Sequence, residues 1–169
     1  MPFKIEQLNQ LDAAEFVRVV GPLFEHSPWI AESTWPQRPF AAMEQLHSAL
    51  CQTVRAASQQ QKLALIRAHP DLVGRAALTG TLTRESKGEQ ARAGLNALSP
   101  EEITLFQKQN AAYHAKFGFP FVICARLNKK EAILTGLEKR LQNSPAQEMQ
   151  TALEEIFKIA ELRLRDLTA

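Results

Sequence analysis

The sequence predicts an all-α fold, a single domain of seven to eight helices with one short extended buried segment. Three observations predict it. Apolar residues recur at three- and four-residue spacing along most of the chain. Ser or Asp followed three residues later by Glu or Gln, the mark of a helix start, recurs along the chain. Only FPFVICA, residues 119–125, has the β-branched and aromatic make-up of a strand, and it has no second such run to pair with.

The first helix is carried by LDAAEFVRVVGPLFE, where Asp12 and Glu15 have capping spacing and Leu11 and Phe16 have staple spacing. Phe16, Val19, Val20, Leu23 and Phe24 make one buried stripe, which Gly21-Pro22 kinks or splits. EHSPWIAESTWPQRP reads as an irregular connection. A second helix is predicted over 40–57, with Met43, Leu46, Leu50 and Val54 inward, and a third over 58–68. That run stops at His69-Pro70, because proline disfavours helical dihedrals at the residue before it. PDLVGRAALTGTLT reads as a loop with at most a helical turn, and SKGEQARAGL as a helix capped by Ser86 with Glu89. SPEEITLFQKQNAAYHAKFG is the clearest helix: Ser99 caps it, Pro100 takes its first position, Glu102 completes the box and Gly118 ends it. Ile103, Phe106, Tyr113 and Phe117 face inward. NKKEAILTGLEKRLQN, with an Asn128–Glu131 box, and SPAQEMQTALEEIFKIAELRLRDL, with Ser144 and Gln147 at its start, complete the set.

Composition narrows the function classes. A chain of 169 residues fits one domain. Its 20 basic and 18 acidic residues are dispersed, so no basic block points to nucleic acid or an anionic membrane. Cys51 and Cys124 lie far apart, in apolar stretches and in no metal-like spacing, which predicts buried free thiols and a reducing compartment. The first residues have no apolar core of signal-peptide length, and no run approaches the ~18 apolar residues of a membrane span. RDLTA is not a peroxisomal address, so the expected location is cytoplasmic.

No metal-ligand spacing, P-loop, dinucleotide fingerprint or nucleophile elbow is present. Acid–base and electrostatic groups remain. His69, at a helix end before Pro70, can give or take a proton near neutrality, or can be a surface histidine that merely caps the helix. Glu89 and Gln90 follow Ser86 at a helix start, where a capping box and an anion-binding role can coexist. Arg163 falls on the inward stripe of Met149, Leu153, Ile156, Ala160 and Leu167 in the last helix. A guanidinium there needs an anionic or carbonyl partner. It snorkels outward, or forks a ligand, or meets an internal glutamate. In FPFVICA an extended backbone turns Phe121, Ile123 and Ala125 to one side and Val122 and Cys124 to the other. Its unpaired peptide groups would suit a flat heterocycle with amide edges.

HPDLVGR, TRESKGEQARAGL, KFGFPFVICARLNKKEAIL and IAELRLRDL, in that order, resemble the 2-oxo-4-hydroxy-4-carboxy-5-ureidoimidazoline (OHCU) decarboxylase family of uric-acid breakdown. SPWIAE and RPF resemble its N-terminal part. The resemblance implies an all-α, cofactor-free and metal-free homodimer acting on a small molecule. It implies that His69 is catalytic with Glu89 beside it, and that Pro70, Ser86, Gln90, residues 121–125 and Arg163 hold the substrate. Two other readings stand beside it. One is a helical module that binds a ureide or purine metabolite without turnover. The other is a racemase using His69 and Glu89 on opposite faces of a ring.

Overall fold

A computed structural model describes residues 1–169, apart from the side chains of Arg75 and Ala76. The helices in chain order are α1 (Ile5–Gln10), α2 (Ala13–Val20), α3 (Trp29–Thr34), α4 (Met43–Ala56), α5 (Gln59–Arg67), α6 (Arg75–Thr79), α7 (Arg84–Arg92), α8 (Pro100–Phe117), α9 (Lys130–Arg140) and α10 (Pro145–Thr168). Three short 3₁₀ turns accompany them, and no strand occurs among the described residues. The class is the predicted one. The helix count exceeds seven or eight because α1, α3 and α6 are helices of only five or six residues, too short to show a period. No helix among the described residues is long and apolar enough to cross a membrane.

The chain gathers into two compact units, Met1–Ala68 with Phe157–Ala169, and His69–Ile156. In the first unit Asp12 caps α2, its carboxylate accepting the Glu15 amide at 2.8 Å. Gly21 and Pro22 end the helix in a 3₁₀ turn, as their chemistry predicts. WIAEST, read as irregular, is α3; it packs on α2 and α4 and buries Ile30, Ala31 and Thr34. Arg38 ties the following stretch down, donating to Asn9 O at 2.8 Å and Leu11 O at 3.0 Å while lying over the Trp35 ring at 3.9 Å. α4 starts at Met43 rather than 40, with Leu46, Leu50 and Val54 buried and Met43 half-buried.

The second unit is organised around α8. Ser99 and Glu102 form the predicted capping box, and Gly118 closes the helix at φ 75°, where a side chain would be strained. Tyr113 lies in an aromatic cluster, with ring centroids 4.5 Å from Phe117, 6.0 Å from Phe119 and 5.4 Å from Phe121. Its hydroxyl donates to Oε1 of Glu148 at 2.5 Å. That carboxylate is fully buried. It also takes Nε of Arg140 at 2.7 Å on Oε1 and Nδ2 of Asn143 at 3.1 Å on Oε2. Arg140 Nη1 in turn donates to Val122 O at 2.5 Å, and the guanidinium lies 4.4 Å from the Phe121 ring centroid. A buried charge is tolerated only when its attraction and hydrogen bonds offset lost hydration.

Removing one partner of this pair strands the other. Glu148→Ala is expected to cost about 3–5 kcal/mol in urea unfolding, and Arg140→Met with Glu148→Leu to recover most of that loss. Burial, and then the Glu148 carboxylate, hold the Tyr113 hydroxyl protonated well above its ordinary value of 10.0. The unfolded phenol releases its proton as pH passes 10 while the folded one keeps it, so stability present below pH 10 is lost above it. Tyr113→Phe is expected to flatten the part of the stability–pH curve that starts there.

Candidate active site

Pro70 limits α5 as its chemistry requires. The helix ends at Arg67, Ala68 caps it and His69 is the first residue beyond. His69 is only 7% exposed, which removes the reading of a surface histidine that merely caps a helix. Pro70 is half-buried. The chain then turns tightly, Gly74 N donating to Asp71 O at 3.3 Å. A Cβ at Gly74 would lie 2.5 Å from the Asp71 Cβ, so only glycine fits there. Val73 sits at φ 55°. For a β-branched residue this left-handed conformation costs roughly 1–2 kcal/mol or more.

Three side chains hold that turn. Asp71 Oδ1 meets His114 Nε2 at 2.8 Å, Leu72 O accepts Asn110 Nδ2 at 2.8 Å, and Val73 N donates to Gln90 Oε1 at 3.2 Å. Sequence reasoning missed Asn110 and His114. Asn110 left a legible signal, a polar residue buried on the α8 face that carries Phe106, Tyr113 and Phe117.

α7 begins earlier than expected. Thr83 caps it by accepting the Ser86 amide at 3.2 Å, so the Ser86–Glu89 capping box is not formed. Ser86 sits in the first turn and Glu89 in the second. The reason is local: Thr83 is itself a competent capping residue, and Glu85 in the first turn suits the positive end of the helix dipole. The earlier start leaves Ser86, Glu89 and Gln90 on one face at i, i+3 and i+4. Ser86 and Gln90 are buried and Glu89 is half-buried.

The segment after Gly118 is buried without being part of a sheet, as predicted. The extended run stops one residue short, because Ala125 opens a 3₁₀ turn, Ala125–Leu127, in which Asn128 N donates to Ala125 O at 3.2 Å. Phe121, Val122, Cys124 and Ala125 are all buried and Ile123 is half-buried, so no alternation of faces is seen. Several peptide groups expected to be unmet are taken by the protein. Val122 O accepts Arg140, and Cys124 O accepts the Asn128 side chain at 3.0 Å. Asn128 therefore does not cap α9, and the Asn128–Glu131 box is absent. Among the described residues, the backbone of Phe121 and of Ile123 makes no hydrogen bond. α7 packs on the 3₁₀ turn. Burial, aided by the Glu155 and Glu89 carboxylates, pushes the Cys124 thiol above its ordinary range, so it stays protonated near neutrality.

Arg163 belongs to the first unit, and its third reading is the one observed. Nη2 pairs with Oε1 of Glu25 at 2.8 Å and Nη1 donates to Pro22 O at 3.1 Å, with both side chains buried. Glu25 was not singled out from sequence, although it directly follows the apolar pair Leu23-Phe24. Of the predicted α10 stripe, Leu153, Ile156, Ala160 and Arg163 are buried, while Met149 and Leu167 are half-buried; Glu148, Ala152 and Glu155 are buried on the same helix.

The second unit thus links three of the predicted pieces. The loop after His69 is tied to α7 through Gln90, and α7 packs on the turn that ends residues 121–125. An imidazole, a carboxylate and amide groups are the equipment of proton transfer on a small polar ring. Among the described residues, no three His, Cys, Asp or Glu side chains gather where they could hold a metal ion.

The OHCU decarboxylase family model matches residues 9–165, running through both units. Relatives named 2-oxo-4-hydroxy-4-carboxy-5-ureidoimidazoline decarboxylase include one from Halalkalicoccus jeotgali, 44% identical over 97% of this chain and 91% of its own length. Another, from Amia calva, is 44% identical over 96% of this chain and 93% of its own. A crystal structure of (S)-allantoin synthase superposes with a TM-score of 0.81 at 30% identity, covering 99% of this chain and 54% of that one. Matched in sequence and in fold along nearly its whole length, the chain belongs to the OHCU decarboxylase family.

Proposed function

We propose that this protein removes CO2 from OHCU to give (S)-allantoin in urate degradation, with no cofactor. The substrate carries a hydroxyl and a carboxylate on one ring carbon beside a C=N bond. When the bond to the carboxylate breaks, its electron pair forms a new ring C=C bond, the C=N pair moves to nitrogen, and that nitrogen takes up a proton from the medium. The substrate is its own electron sink, so the protein has only to orient it and move protons. The enol-like intermediate then takes a proton on the ureido-bearing carbon from one face, and its hydroxyl proton is lost to give the carbonyl.

His69 supplies the proton and Glu89 steers the hydroxyl proton. Pro70, Ser86, Gln90, Phe121, Ile123 and Ala125 hold the ring. The observation that carries this reading is Gln90. Its Oε1 is taken by Val73 N, while its Nε2 is buried and has no hydrogen-bond partner among the described residues. A buried N–H left unmet is costly, and a substrate carbonyl would meet it. The protein acts as a cytoplasmic homodimer, a reading that rests on the family resemblance.

The test uses fresh substrate, generated in place by urate oxidation and hydroxyisourate hydrolysis and followed by circular dichroism. His69→Ala is expected to abolish the protein-dependent appearance of one allantoin enantiomer. Glu89→Gln is expected to lower kcat by ~10²–10⁴-fold. A parent protein that binds allantoin without turnover would overturn the enzymatic reading. An undiminished His69→Ala would overturn the role of that histidine.

A further inference from the structure

The turn after His69 is held at three consecutive residues. His114 takes the Asp71 side chain, Asn110 the Leu72 carbonyl and Gln90 the Val73 amide. Two of the three side chains, Asn110 and His114, stand one helical turn apart on α8 and project from the same face. They meet a segment whose conformation is locally unfavourable. Val73 is left-handed at φ 55°, and Gly74 has no room for a Cβ. Released, a valine returns to negative φ, and rotation at that residue alters the path of the chain that links Gly74 to Pro70 and His69.

Asn110 is an uneconomical choice for a core position. It is 6% exposed, its Nδ2 is used on Leu72 O, and its Oδ1 has no hydrogen-bond partner among the described residues. A residue serving packing alone would be better apolar. What the amide provides is a fixed point on the loop.

We propose that Asn110 and His114 are positioning residues: through Leu72 and Asp71 they hold the strained turn that places the His69 ring for proton transfer. The proposal rests on the reading of His69 as the catalytic histidine. The two side chains act through the loop, so their loss should misplace the ring while leaving the substrate-holding groups on α7 and residues 121–125 in place, Pro70 alone moving with the loop. The cost should fall mainly on kcat rather than KM.

The experiment measures kcat and KM for the reaction described above in Asn110→Ala, His114→Ala, His114→Gln and His69→Ala, with Val73→Gly added to the first. Asn110→Ala is expected to lower kcat about tenfold or more with KM little changed, since small misplacements of a reacting group are costly. Glycine accepts the left-handed conformation without strain, so Val73→Gly in the same chain should shrink that loss to about threefold. His114 lies on the more exposed side, so His114→Ala should fold and lose about threefold in kcat, whereas His114→Gln, which keeps an N–H for Asp71, should retain the parent rate. If Asn110→Ala does not fold, the His114 pair decides the matter by the same criterion. Unchanged kcat in the folded variants, a loss confined to KM, or a kcat loss that neither Val73→Gly nor His114→Gln relieves would overturn the clamp. A dead His69→Ala beside a fully active Asn110→Ala and His114→Ala overturns the clamp alone. A fully active His69→Ala overturns the role of the histidine and the clamp with it.

Discussion

The second unit depends on one carboxylate. Glu148 is fully buried and receives donors from three places in the chain: Tyr113 in α8, Arg140 at the end of α9 and Asn143 in the turn that follows. None of those three can shift without leaving a charge or donor unmet in a medium where such groups are costly. Arg140 extends the constraint to residues 121–125 through the Val122 carbonyl and the Phe121 ring. A stretch with no sheet partner, and with helical hydrogen bonds only where Cys124 and Ala125 enter the 3₁₀ turn, is therefore fixed largely by a side-chain network. That is how a peptide segment can be both irregular and rigid, the combination a binding wall requires.

α8 serves two segments at once. Tyr113 connects it to the Glu148 network and so to residues 121–125, while Asn110 and His114 connect it to the turn after His69. The first connection is buried and relies on charge. The second relies on the Asn110 amide and on a partly exposed contact between His114 and the Asp71 carboxylate, and it holds a valine in a conformation it resists. Strain of this kind persists only where surrounding contacts over-determine it. Here the contacts come from α7 and α8, which converge on three successive residues of one loop.

Much of this was legible in the sequence because long amphipathic helices announce themselves. α8 and α10 were read with their caps because Ser-x-x-Glu and Ser-x-x-Gln were followed by many turns of periodic apolar residues. α1, α3 and α6 were not, since five or six residues span too little of a period to be distinguished from a loop. The two capping errors share a cause. Thr83 and Ser86 both satisfy the local rule, as Asn128 does, and which one caps is settled by competition among near neighbours: Thr83 takes the Ser86 amide, and the Asn128 amide is claimed by Cys124 O. His69 was placed at its helix end because Pro70 acts on the backbone irrespective of context. Its burial was not legible, since that depends on residues distant in sequence. Glu25, Asn110 and Glu148 escaped for the same reason. Each is one polar residue near apolar ones, and only the fold reveals which partner it meets.

The buried face of α10 carries the strongest argument about design. Glu148, Glu155 and Arg163 all lie on it, at positions where leucine or isoleucine would fill space without desolvating a charge. Glu148 pairs with Arg140 and Arg163 with Glu25. Such pairs are weak sources of stability, and apolar replacements of similar volume often do as well or better. Their contribution is directional. A guanidinium held by a carboxylate on one edge presents its remaining geometry in a fixed plane, which an apolar side chain or a solvated arginine cannot do. On that view the chain gives up part of its potential stability on this helix to hold polar groups in set orientations.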